Sequence, residues 1–190
     1  MEVRVMPNPQ KLQGDDPVAV AEPRASAEIA QAAPGRDYGL SHQIIWDFVS
    51  ISNHLEDIRR SWAKLFGISG SQWLILMAIN DLDEGGGVSV GDVSAKIHAV
   101  STFVTTQTKI LEKLGLVIRV SSTVDARVVL MSLSPTARQQ IADLSARWEA
   151  LHSFIFRDFD AQSMSDVKDK LEMLKKRAKT AVAWVTEESE

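Results

Sequence analysis

The chain has 190 residues, 45% of them apolar, a formal net charge of −4 and no cysteine. That size suits one domain, or one domain with extensions, and the negative balance argues against a general coater of polyanions. Without cysteine there is no disulfide, no thiolate zinc site and no cysteine redox switch. No window reaches the roughly 18 apolar residues of a membrane span, and the N-terminus lacks a signal peptide's apolar run. A cytoplasmic protein with no membrane partner is expected.

Residues 1–37 hold five of the six prolines, Pro7, Pro9, Pro17, Pro23 and Pro34. Such a segment buries little apolar surface, so a tail that is disordered or ordered only by a partner is expected, with room for a short helix over residues 25–33. A first helix is predicted over residues 41–66. Ile44, Phe48, Ile51, Leu55, Ile58, Trp62 and Leu65 recur in alternating steps of 4 and 3, a seam at heptad spacing. Ser41 is its expected cap and Gly67 its stop. A second helix over 69–82 is apolar on most sides and should be the centre of the domain. Gly85, Gly86 and Gly87 break it, and Val88 and Val90 suit a short strand.

A third helix is predicted over 89–98, burying Val90, Val93 and Ile97. A fourth follows over 102–114, with Gly115 as its stop. Residues 116–121 and 127–133 then alternate like strands around a turn at 122–126. A long fifth helix opens on Ser134-Pro135, a cap followed by proline at the first helical position. Its seam is Ile141, Leu144, Trp148, Leu151 and Ile155. A last helix over 163–185 repeats the spacing through Met164, Val167, Leu171, Leu174, Ala178, Ala181 and Val185. The expected fold is mainly α with a small β-hairpin wing, a winged helix-turn-helix with long flanking dimerisation helices. Residues 67–133 form the DNA-binding module, and 38–66 with 134–190 form the helical dimerisation region. The seams also suit an ordinary intramolecular bundle, but they exceed what a module of this size covers, which favours a homodimer.

On the fourth helix, Val104, Gln107, Leu111 and Leu114 fall on one side, with Phe103 and Ile110 adjoining. Thr102, Thr105, Thr106, Lys109 and Lys113 fall on the other. Threonine hydroxyls reach base edges or phosphates, their methyls reach thymine methyls, and lysines neutralise phosphates. A solvated face without a partner is the plain alternative. Exposed threonines weaken a helix relative to Ala, Glu or Lys, however, and a sequence shaped by stability alone would seldom place three there. From Lys96 to Arg127, five cations (Lys96, Lys109, Lys113, Arg119, Arg127) face two acids (Glu112, Asp125), a local +3 in an acidic chain. Arg127 at the hairpin tip suits a narrow minor groove. Asp125 is expected to hold its guanidinium, unless the two form only a surface ion pair.

The run Leu111-Glu112-Lys113-Leu114-Gly115-Leu116-Val117-Ile118-Arg119, then Asp125-Ala126-Arg127, then Leu133-Ser134-Pro135, resembles the MarR family of bacterial transcription regulators. The likeness extends over about residues 40–185. It implies a homodimer of winged helix-turn-helix subunits whose first, fifth and sixth helices build the interface. It places Thr102, Thr105, Thr106 and Lys109 in the major groove of a pseudo-palindromic operator and Arg127 in the minor groove. Thr106 departs from the family, which often carries arginine at that position. The resemblance also implies an effector, often an aromatic acid or phenol, that releases the regulator from DNA. Here a second stripe on the first helix carries His42, Trp46, Val49, Asn53, Glu56 and Arg60. Arg59 or Arg60 would pair with a ligand carboxylate and Trp73 would form a wall. The plainer reading makes this stripe a half-exposed flank, with Trp46 in the dimer core.

Cofactors and metals are not expected. His42, His54, His98 and His152 are dispersed, with no His-x3-His or His-x-x-Glu pairing. An enzyme using the winged helix only to dimerise would need a phosphate loop, a nucleophile motif or an acid–base pair, and none stands out. A dimeric helical interaction protein without DNA binding would explain the seams but not the threonine–lysine face.

Overall fold

The computed structural model describes residues 38–187. The expectations for the tail over 1–37 and the helix over 25–33 therefore lie outside the described residues. Among the described residues, seven helices and three strands follow one another: α1 Tyr38–Leu65, α2 Gly70–Leu82, β1 Val88–Ser89, α3 Val90–Ile97, α4 Ser101–Lys113, β2 Val117–Ser121, β3 Val129–Leu133, α5 Pro135–Asp143, α6 Ser145–Ile155 and α7 Ala161–Glu187. The chain divides into two units, one of residues 37–158 and another that carries α7.

The helix starts are built from side-chain caps. Ser69 accepts from the Gln72 N–H (3.2 Å) while the Gln72 side chain accepts from the Ser69 N–H (2.9 Å). Ser89 and Asp92 make the same reciprocal pair at the start of α3. Each such box satisfies two amides that the helix leaves open, at roughly 1 kcal/mol per cap. Ser134 caps α5 ahead of Pro135, as its sequence predicts. Ser41 does not cap α1. It lies inside the helix, already helical at Tyr38, and the Ser41 hydroxyl donates back to the Tyr38 carbonyl (3.0 Å). Tyr38 stacks on His42 and His42 meets Trp46 edge-on, one turn apart each, with ring centroids 6.0 and 6.2 Å apart, contacts that support helix on the N-terminal side of Ser41.

The core of the 37–158 unit sits under α2. Ile75, Leu76 and Ile79 are fully buried against Val93 of α3, Val104 and Leu111 of α4, and Met131 and Leu133 of β3. Each large side chain taken from water here contributes about 1.5–3 kcal/mol. β3 is the central strand of the sheet. It pairs antiparallel with β1 (Val88 opposite Met131) and with β2 (Val117 opposite Leu133, Ser121 opposite Val129). Gly115, at φ +71°, turns the chain from α4 into β2, a left-handed conformation that disfavours side chains.

A second cluster gathers Trp62, Ala63 and Trp73 with Ile141, Leu144, Trp148 and Leu151. The long fifth helix of the sequence reading is broken here into α5 and α6. No proline or glycine causes the break. At Leu144 the backbone tightens and its N–H bonds the Ile141 carbonyl (3.1 Å). The offset lets Ile141, Leu144 and Trp148 all pack on the tryptophan cluster.

Along α1 the seam is fully buried only at Trp62, and its last residue, Leu65, is exposed. Trp62 is covered, whereas Ile44, Phe48, Ile51 and Leu55 remain 40–54% exposed. On α7, taken by itself, Met164, Val167, Leu171 and Leu174 are 38–40% exposed. No single described helix is long and apolar enough to cross a membrane. α1 and α2 pass that test only as a pair bent by 87°, and most of α2 is core.

Candidate nucleic-acid interface and effector cavity

Helix α4 is pinned by Val104, Thr108 and Leu111, all fully buried. At about 100° per residue, these three lie opposite Thr102, Thr105, Thr106, Lys109 and Lys113, which share one arc. Thr102, Thr106, Lys109 and Lys113 are exposed and Thr105 is half-buried. Thr108 was not picked out from sequence, because its hydroxyl marks it as polar. Burial is tolerated because that hydroxyl donates to the Thr105 carbonyl one turn back (3.2 Å). Leu114, expected to pack inward, is 54% exposed instead. It is the residue after the last helical one, and the tightened turn points it away from Leu111.

The start of α4 differs from those of α2 and α3. Its cap residue is Val100, exposed and unable to accept a hydrogen bond through its side chain. The Phe103 N–H turns back to the Val100 carbonyl (3.0 Å), and no side chain caps the amides of Ser101 and Thr102; an uncapped helix start suits a phosphate oxygen. Gln72 of α2 donates to Gln107 of α4 (3.0 Å) and fixes the roll of the helix about its axis.

The wing loop is closed by Ser122 N–H to Val128 O (2.8 Å) and Val128 N–H to Asp125 O (2.9 Å). Ser122 Oγ accepts from the Val124 and Asp125 amides. Asp125 does not grip the Arg127 guanidinium. Its Oδ1 accepts from the Arg127 backbone N–H (2.9 Å), so it shapes the turn. Among the described residues no carboxylate pairs with Arg127, Lys109 or Lys113, whereas Lys96 lies 3.6 Å from Asp81 and Arg119 3.5 Å from Glu112. Three cations are therefore available for an external anion.

Asp83, at the end of α2, was missed from sequence. Its side chain is only 1% exposed and takes hydrogen bonds from the amides of Gly85 (2.9 Å) and Gly87 (2.8 Å) and from Arg138 of α5 (2.9 Å). Burial alone would raise its pKa, but these bonds, with one from Ser132, outweigh it and hold the carboxyl below its usual value. An aspartate two residues ahead of a glycine run is the signal that could have found it.

A cavity of about 500 Å³ opens among α1, α2, α5 and α6. Trp73, Trp148, Met77 and Ile141 supply aromatic and apolar wall, and Arg59, Glu149 and His152 supply polar groups. Of the expected ligand residues, Arg59 and Trp73 reach this cavity. His42, Trp46, Asn53 and Arg60 do not line it. His42 and Trp46 are engaged with each other, the indole N–H donating to His42 Nε2 (3.3 Å), and Arg60 pairs with Glu56 and Asp57. Arg59 is itself hydrogen-bonded to Glu56. Burial would raise the Glu56 pKa, but the two arginines bring it below its usual value. Trp148, read from sequence only as a seam residue, and His152, noted only as dispersed, belong to this wall. Helix periodicity cannot show that their helix is offset at Leu144.

Residues 66–128 match the sequence model of the MarR family. Among solved structures, the fold resembles the MepR–DNA complex of S. aureus (TM-score 0.58, 15% identity, 68% of this chain and 92% of that one). It also resembles a MarR/EmrR family transcriptional regulator from Acinetobacter sp. ADP1 (TM-score 0.62, 15% identity, 74% and 97%). A third is the transcriptional regulator BldR from Sulfolobus solfataricus (TM-score 0.61, 18% identity, 75% and 99%). At these identities the likeness establishes the winged-helix fold. No curated protein is similar enough in sequence to count as a relative.

Proposed function

We propose that this chain, whose residues 66–128 match the MarR family model, is a homodimeric, effector-responsive repressor acting in the cytoplasm and not an enzyme. The observation that carries the proposal is the outer face of α4. Thr102, Thr105, Thr106, Lys109 and Lys113 stand together beside an uncapped helix start, with Arg127 unpaired on the wing. Hydroxyls and amides of this kind position a helix in the major groove, and the cations displace counterions from phosphate. The open seam of α1 suits a second copy of the chain, which would set two reading helices on a pseudo-palindromic site. Protection of the DNA flanking its own gene tests this directly. Half-sites about 10 base pairs apart, or a multiple of that, and affinity falling steeply with salt are expected. A chain that protects no operator-length segment at low salt is not this regulator, and the reading as a helical interaction protein takes its place.

The effector occupies the cavity walled by Trp73 and Trp148. Aromatic walls favour an aromatic ring. Because Glu56 already engages Arg59, a ligand carboxylate would have to displace it, so a phenol fits this wall better than an aromatic acid. Titration with simple phenols and with benzoates, followed by tryptophan fluorescence and DNA affinity, should show phenols acting at lower concentration. No change in either signal with either class removes the effector from the proposal.

A further inference from the structure

Thr106 carries a feature that its neighbours on the outer face of α4 do not. Its Oγ1 lies 2.9 Å from the carbonyl oxygen of Thr102, one turn earlier. A carbonyl only accepts, so the Thr106 hydroxyl proton is committed to the helix. What this exposed side chain offers outward is a methyl group and the remaining lone pairs of its oxygen. It meets a partner as an acceptor with an apolar side, not as a donor.

The four base pairs answer such a side chain differently in the major groove. Guanine presents only acceptors there, and the amino group of its cytosine partner has no methyl beside it. Adenine presents an N6 amino donor, and its thymine partner presents a methyl. Only an A·T pair therefore matches both halves of what Thr106 exposes. We propose that Thr106 is a specificity-determining residue that selects an A·T pair in each half-site, accepting from adenine N6 and packing its methyl on the thymine methyl. Turning the hydroxyl to donate to guanine would break its bond to Thr102. This inference rests on the reading of α4 as the major-groove helix.

The test is selection from a randomised double-stranded DNA library by the full chain, beside Thr106→Val and Thr106→Ser. Valine keeps the shape and methyls without the oxygen, and serine keeps the oxygen without the methyl. Both have helix propensity near that of threonine, so the fold is retained, and far-UV circular dichroism checks it. The wild-type chain should enrich A·T at one symmetric pair. Thr106→Val should lower the preference there by roughly tenfold, within the usual cost of one mismatched pair, with other positions unchanged. Thr106→Ser should lower it less. A guanine at the Thr106-dependent pair, or a Thr106→Val profile identical to wild type, overturns the inference while leaving the regulator intact. Failure of the wild-type chain to select any sequence overturns both.

Discussion

Helix α4 and helix α1 are both amphipathic, but they stand in opposite relations to the rest of the chain. α4 buries Val104, Thr108 and Leu111 completely, leaves Phe103, Ile110 and Leu114 at its margins partly exposed, and shows a polar face outward. α1 buries Trp62 and Ala63 near its end and leaves Ile44, Phe48, Ile51 and Leu55 substantially open. Helix α4 is thus fixed within its own unit, and what it presents outward is polar and cationic chemistry. The long helix presents apolar surface that the rest of its own unit leaves open, the kind of surface a further partner can cover.

The largest effect that could break this contrast is on stability. Leu111→Ala should cost about 2–5 kcal/mol, because the side chain is fully enclosed and leaves a cavity. Urea unfolding measures it, and a loss near that of a surface change would mean α4 is not pinned as described. Next comes association. The double change Phe48→Asp with Ile51→Asp should weaken self-association by about 3–5 kcal/mol, the cost of burying unpaired carboxylates. Sedimentation should then show monomers of unchanged helicity, and persistence of the wild-type assembly would show that α1 does not form the interface.

A smaller effect concerns Asp83, which joins the end of α2 and the glycine loop to α5. Asp83→Asn should cost about 1–2 kcal/mol at neutral pH, since half-exposed Arg138 keeps much of its solvation. Folding lowers the Asp83 pKa below 3.8. Its stabilisation is therefore complete above that value and is lost as pH falls through the lower folded-state value. Acid titration of wild type and Asp83→Asn should show the two converging at low pH, and parallel curves would refute this. The smallest expected effect is Arg127→Ala, which should weaken DNA binding broadly and reduce the log–log salt slope by about one.

The parts legible in sequence were those set by local periodicity and caps. Ser134 and Gly115 mark their boundaries through backbone chemistry that involves only neighbouring residues, and the helix starts expected at Ser69 and Ser89 fall on residues that turn out to be caps. The outer face of α4 followed from 3.6-residue spacing alone. What was not legible depended on tertiary placement. Thr108 is core because its hydroxyl finds a carbonyl within its own helix. The break at Leu144 has no sequence breaker and follows from packing on Trp62 and Trp73. The cavity depends on that break, so helix spacing alone groups His42, Trp46, Asn53 and Arg60 with Arg59, although only Arg59 of these lines it. Asp125 was near the right partner but through the backbone rather than the guanidinium.

The most direct test of the proposed homodimeric regulator, with α4 as its reading helix and α1 at its interface, is stoichiometry on DNA. The mass of the complex between the full chain and a duplex carrying a selected site should be measured by analytical ultracentrifugation. Two protomers on each duplex, with each half-site contributing, is the predicted result. One protomer bound to an intact site with full affinity would contradict the account.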